Sequence, residues 1–150
     1  DDLNPGAAPD DEDGVTFGAL NAGDPAAVTD VTVNGAPANG ALLDAWMDFN
    51  QNNDWDDPGE QIFTSKVVIN GVNHLAFSIP AGALPGTTYT RYRRSAGGGL
   101  APDGAASSGE VEDYEVKIET PPANDWDFGD APDGYPVMLA DDGARHVTSE

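Results

Sequence analysis

Glycine and proline interrupt this chain so often that no helix of ordinary length fits between them. The 150 residues hold 18 Gly and 12 Pro, and Asn34-Gly35, Asn70-Gly71, Pro80-Ala81-Gly82 and Gly97-Gly98-Gly99 mark turns. Such clusters supply the fixed or positive φ angles that tight turns require. Between them lie short runs of alternating character, the pattern of half-buried strands. Val15–Phe17 is one such run, and Ala27–Asn34 places Thr29, Val31 and Val33 on one face. Leu42–Phe49 sets Leu43, Ala45, Met47 and Phe49 on one side and Trp46 on the other. Gln61–Phe63 and Val67–Ile69 flank a Thr64-Ser65-Lys66 break, and Leu75, Phe77 and Ile79 alternate up to Pro80. Thr87–Ser95 carries Tyr89, Arg91 and Arg93 on one face and Tyr92 on the other. In the last run Tyr114, Val116 and Ile118 face inward, with Asp113, Glu115, Lys117 and Glu119 outward.

About seven short strands with turns at this spacing predict an all-β fold, an antiparallel β-sandwich of the fibronectin or immunoglobulin-like kind. A small barrel is the competing architecture. Residues 14–119 form the predicted sandwich, preceded by an acidic opening segment over 1–13. Thr120-Pro121-Pro122 marks the other boundary. Residues 120–150 then read as an acidic, Gly/Pro-rich linker or docking tail, leading to the next repeat or protomer. Its β-formers are too few to build a core of its own, so a metal ion or a neighbouring copy is expected to hold it. Trp126 and Phe128 are expected to dock it onto a sandwich.

The formal charge is −21, from 27 acidic and 6 basic side chains. A chain this anionic repels phosphate backbones, which excludes nucleic-acid binding by counterion release. No run approaches the 18 apolar residues of a membrane helix, so membrane insertion is not expected. The first residues are too acidic for a signal peptide, and the chain reads as processed or cut from something longer. Cysteine is absent, which removes disulfides and thiolate metal sites. The acidity suits either a salt-adapted surface or the binding of cations.

One stretch points to cations. From Asp48 to Glu60, oxygen-bearing side chains recur at every second position: Asp48, Asn50, Asn52, Asp54 and Asp56. Calcium takes six to eight oxygen ligands on a loop able to wrap around it, and a later carboxylate can close the shell bidentately. Glu60 fits the closing role at position 13, one later than in an EF-hand. The sixth position is Asn53 where an EF-hand has Gly, so the loop is not a true EF-hand, although Asn tolerates a left-handed turn. A second cluster, Gly109-Glu110-Val111-Glu112-Asp113-Tyr114, places Glu110 and Glu112 on the inward face. Each needs an arginine or a cation. Arg91, Arg93 and Arg94 offer ion pairs, and a calcium shell that includes Glu110, Glu112 and Asp113 is the alternative.

The Gly109–Tyr114 hexapeptide resembles the signature of the GEVED domain, a module of large secreted bacterial and archaeal repeat proteins. Ala45–Asn50 with Asp54–Phe63, and Thr88–Arg93, resemble other blocks of that family in the same order. Asn52 stands where the family's pattern suggests Asp, which lowers the charge of the loop. The resemblance implies a β-sandwich, a secreted or cell-surface setting, and several copies per chain. The flanks are similar to the family's inter-domain segments: Asp10–Phe17 to the opening of a module, and Asp127–Tyr135 with Leu139–Val147 to the linker before the next. Asp11, Asp13, Asp130, Asp133, Asp141 and Asp142 could bind further ions there.

Catalysis is not expected. No Gly-x-Ser-x-Gly elbow occurs, and His74 and His146 read as structural. Two His without Cys give poor support to zinc or copper. The expectation is therefore a calcium-binding structural or adhesive module of an extracellular or cell-surface protein, its neighbouring copies arranged in tandem or head to tail. The alternative is a carbohydrate-binding sandwich, with surface glycan as partner and Trp46, Trp55, Trp126, Tyr89, Tyr92 and Tyr135 as platform candidates. Trp55 reads better as a brace beside the acidic loop.

Overall fold

The computed structural model describes residues 14–120, together with the backbone of 126–128 and 145–147. Seven strands build two sheets. Strands β1 (Val15–Phe17), β2 (Ala27–Val33) and β5 (Gly71–Phe77) form one, in the order β1-β2-β5. Strands β3 (Ala41–Met47), β4 (Gln61–Val68), β6 (Gly86–Ser95) and β7 (Glu110–Ile118) form the other, in the order β4-β3-β6-β7. All ladders are antiparallel. The two sheets are not joined by a ladder, so the architecture is a sandwich and not a barrel. A separate two-stranded ribbon pairs β8 (Trp126–Phe128) with β9 (Arg145–Val147), Trp126 opposite Val147.

The core follows from the alternation. Val31, Val33, Leu75 and Phe77 of the smaller sheet and Leu43, Ala45, Met47, Phe63, Tyr92, Val116 and Ile118 of the larger belong to one buried cluster. Fully burying an aliphatic or aromatic side chain contributes about 1.5–3 kcal/mol, so this cluster supplies the main favourable term. Aromatic edges fill its middle: Phe17, Tyr92 and Tyr114 meet pairwise at 6.0–6.1 Å, and Phe63 meets Phe77 at 5.9 Å. Burial pushes the Tyr92 hydroxyl far up from its ordinary range, and Tyr92 Oη donates to Thr29 Oγ1 of the opposite sheet at 3.4 Å.

Two details depart from the sequence-based expectation. Thr64-Ser65-Lys66 does not break the chain: β4 runs through it as one strand, with a register shift opposite Asp44 and Ser65 at φ 44°. Asp44 makes this possible, because its Oδ1 accepts the Ser65 amide at 2.7 Å. The second departure is that the outer face of the larger sheet is covered. Trp46 is 3% exposed, Asp44 0% and Arg93 7%, although all alternate with core residues. Loop 96–109 lies over Asp44 and Arg93, its Leu100 amide donating to Asp44 Oδ2 and its carbonyls at 101, 103 and 104 accepting from Arg93.

That loop returns to β7 through Gly109, at φ 127° and packed against the Arg94 carbonyl so closely that a Cβ would collide with backbone. A side chain is excluded there by both space and conformation. Gly109→Ala should therefore cost more than about 2 kcal/mol in urea denaturation. Gly104→Ala, at φ 81° with open space around it, should cost only about 1 kcal/mol.

Candidate metal centre

The acidic loop joins β3 to β4 and projects from one end of the sandwich. Its two stems are hydrogen-bonded to each other, since the Met47 amide donates to the Glu60 carbonyl at 2.9 Å. Neighbouring segments also hold it. The Asp48 amide donates to Tyr89 O, the Leu84 amide to Phe49 O, and Thr88 Oγ1 to Asp48 O at 2.6 Å. The loop thus has a rigid base, as a precise ligand site requires.

The alternating oxygens first serve the backbone. Asn50 Oδ1 accepts the Asn52 amide, Asn52 Oδ1 the Asp54 amide and Asp54 Oδ1 the Asp56 amide, all at 3.0–3.1 Å. These are successive Asx turns, in which each side chain satisfies the amide two residues on. Between them Gln51 and Asn53 take positive φ, 57° and 72°, so the chain curls. Asp48, 5% exposed, sits inside the curl and accepts the Asn52 and Asn53 amides, one on each oxygen.

The curl brings together a set that differs from the alternating one. Carboxylate oxygens of Asp54, Asp57 and Glu60 all lie within 4.8 Å of one another. Asp54 and Glu60 belong to the expected set; Asp57 does not, and Asp48 and Asp56 lie outside this triplet. The spacing of 54, 57 and 60 is the trace of a curled chain, in which every third residue returns to one side. Asn50 and Asn52 support Asp57 directly, donating to its Oδ2 at 2.6 and 3.0 Å.

Glu60 is the decisive member. It is 3% exposed, and its Oε1 accepts the Phe49 amide at 3.1 Å. Its Oε2 is buried with no hydrogen-bond partner among the described residues. Burial raises its pKa above the ordinary 4.5, opposed by the backbone amides of Phe49 and Asp57 and reinforced by the charges of Asp48 and Asp57. A buried carboxylate oxygen without a donor is costly, and two more carboxylates beside it raise the cost. A hard divalent cation would satisfy that oxygen and offset the repulsion together, and the donors are all oxygen, the set that calcium and magnesium prefer.

Trp55, between two of these acids, braces the loop. Its Nε1 donates to Tyr89 O at 3.3 Å, and the Arg91 guanidinium lies 4.3 Å from its ring centre. Arg91 in turn is held by Asp113 through a fork of 2.7 and 2.5 Å. Arg94 pairs with Glu110 at 2.6 Å, and Tyr114 Oη donates to Glu112 Oε2. Glu110 and Asp113 therefore engage arginines in this structure. The other acids named as further ligands, Asp11, Asp13, Asp130, Asp133, Asp141 and Asp142, lie outside the described residues.

These blocks carry a family signature, and a family model described as the GEVED domain matches residues 42–117. The chain belongs to the GEVED domain family. The matched span contains β3 to β7, hence the acidic loop, loop 96–109 and the signature strand, while β1 and β2 precede it. Comparisons with curated proteins and with solved structures find no match. The pentapeptide Gly109–Asp113 that spells the name of the GEVED domain supplies one glycine that permits a close backbone approach and two carboxylates, Glu110 and Asp113, that hold arginines.

Replacing Glu60 by Gln keeps the shape and removes the buried charge. In chelator at pH 7, Glu60→Gln should melt no lower than the wild type, and roughly 1–2 kcal/mol above it if the new amide donates to the neighbouring acids. Because the folded pKa is raised, the wild-type group contributes stability below about pH 4.5 and loses it as pH climbs through the folded value. The gap between the two proteins should accordingly close on acidification, which paired melts at acid and neutral pH would show.

Proposed function

We propose that this GEVED domain is a calcium-binding structural or adhesive module of an extracellular or cell-surface protein, working in head-to-tail or tandem copies. The observation that carries the calcium reading is Glu60, whose Oε2 is buried without a hydrogen-bond partner among the described residues and whose carboxylate has an oxygen within 4.8 Å of carboxylate oxygens of Asp54 and Asp57. Calcium suits the loop better than magnesium does. A curl of side-chain and backbone oxygens can offer many ligands at flexible distances, whereas magnesium demands a tighter octahedron and retains water. Asp54, Asp57 and Glu60 would supply the charge, and Asp48 would hold the curl around the ion.

The carbohydrate reading has less in its favour. Trp46 and Tyr92, two of its platform candidates, are each 3% exposed; Tyr89, half-exposed, is the better-placed ring. The assembly reading rests on the family, whose modules occur in long repeat proteins, and on the acidic segments at both ends of the sequence. Facing carboxylates at a junction repel unless a cation bridges them, so calcium would join copies as well as stiffen each one.

Thermal melts of the whole chain with calcium, magnesium and chelator test the reading. A ligand that binds only the folded state adds about 2.7 kcal/mol at a hundredfold excess over Kd. For a domain of this size that raises Tm by roughly 10 °C. Calcium should produce such a shift in the wild type, magnesium much less, and Glu60→Gln none. Identical melting temperatures in calcium and chelator would remove calcium from the function.

A further inference from the structure

We propose that Arg91 couples the acidic loop to loop 96–109, so that the ion governs the outer surface of the domain, and that the signature residue Asp113 is the positioning group of this coupling. The inference rests on the calcium reading above and extends it from a site to its regulation.

Arg91 touches three other parts of the molecule at once. It springs from β6, and its guanidinium lies over the Trp55 ring at 4.3 Å. Its Nε and Nη2 are taken by Asp113 of β7. The remaining Nη1 reaches into loop 96–109, donating to Pro102 O and Asp103 Oδ1, both at 3.3 Å. Its side chain is 22% exposed, which makes these contacts stronger than those of a solvated surface pair. The Asp113 carboxylate holds the guanidinium still further into its charged form. A planar cation fixed along one edge can present its face and its free nitrogen in only one way. Asp113 therefore decides where Arg91 points.

Trp55 is the other end of the lever. It stands between Asp54 and Asp57, two of the three carboxylates that converge. Trp55 already lies against Tyr89 O and under Arg91. An ion would offset the repulsion of those carboxylates and so favour the curl that holds the indole there. The cation–π contact then favours the orientation in which Nη1 holds residues 102 and 103. Beside it Arg93 holds the carbonyls of 101, 103 and 104 at 2.6–2.8 Å. Besides Asp44 and Ser65, loop 96–109 is thus held by two arginines on one face of β6, and one of them would answer to the ion.

Coupling of this kind is reciprocal: whatever factor calcium adds to the order of the loop, loop order adds to calcium affinity. Two measurements on the full chain test it, calcium titration calorimetry and hydrogen exchange of the amides of 99–104. In the wild type, calcium should slow exchange in that segment by about fivefold or more. Asp113→Asn should weaken calcium binding by about the same factor and abolish the slowing, while still binding calcium, and Asp113→Glu should recover part of both. Trp55→Leu should behave as Asp113→Asn does. Trp55 is outside the core, so that variant serves if the first does not fold. Calcium heats retained with exchange at 99–104 unchanged would overturn the coupling and leave the calcium site standing. Unaltered affinity in both variants would do the same. Absence of calcium heats in the wild type would remove the site itself, and the coupling with it.

Discussion

The carboxylate of Glu60 stands where three demands meet, and much of the structure is arranged around it. Glu60 closes the acidic loop, immediately precedes β4, and is tied to the amides of Phe49 and Met47. One oxygen is met by the Phe49 amide; the other is left among acids. A burial that costly persists only where its surroundings fix it, and here they do. Backbone bonds from Met47, Asp48 and Leu84 lock the stems, so the carboxylate cannot swing into water without loosening β3 from its neighbours.

The strands were legible because their chemistry is local. Alternation with period two placed Thr29, Val31, Val33, Tyr92 and Val116 inside, and all of them are buried. What escaped the sequence was whatever a distant segment decides. Asp44, Trp46 and Arg93 sit on the face that alternation reads as solvent, yet all three are buried, Asp44 and Arg93 because a loop of Gly, Ala and Ser folds over them. That loop has no periodicity to announce a lid. Ser65 looked like a break because polar residues surround it, yet a carboxylate on the adjacent strand takes its amide and turns the break into a bulge.

The loop from Asp48 to Glu60 was half legible for a related reason. Its alternation is real, but it is spent on Asx turns that bend the chain. Once bent, residues three apart face each other, and Asp57 replaces Asp56 at the convergence. A period read along an extended chain does not survive curling. The ion-pair reading of Arg91, Arg94, Glu110 and Asp113 needed only neighbouring strands, and the register of β6 against β7 sets Arg91 opposite Asp113 and Arg94 opposite Glu110.

Asn21, between β1 and β2, and Glu119, just after β7, lie side by side in a parallel bridge, with the Ala22 amide donating to Glu119 O and the Glu119 amide to Leu20 O. Parallel neighbours drawn apart from opposite ends slide along each other, so their bonds share the load and fail together. An antiparallel hairpin pulled at its open end would unzip one bond at a time. Under tension along the chain, that short clasp would bear load together with the β1–β2 ladder that precedes it. The bridge that ties the start of the sandwich to its end would thus carry load in shear.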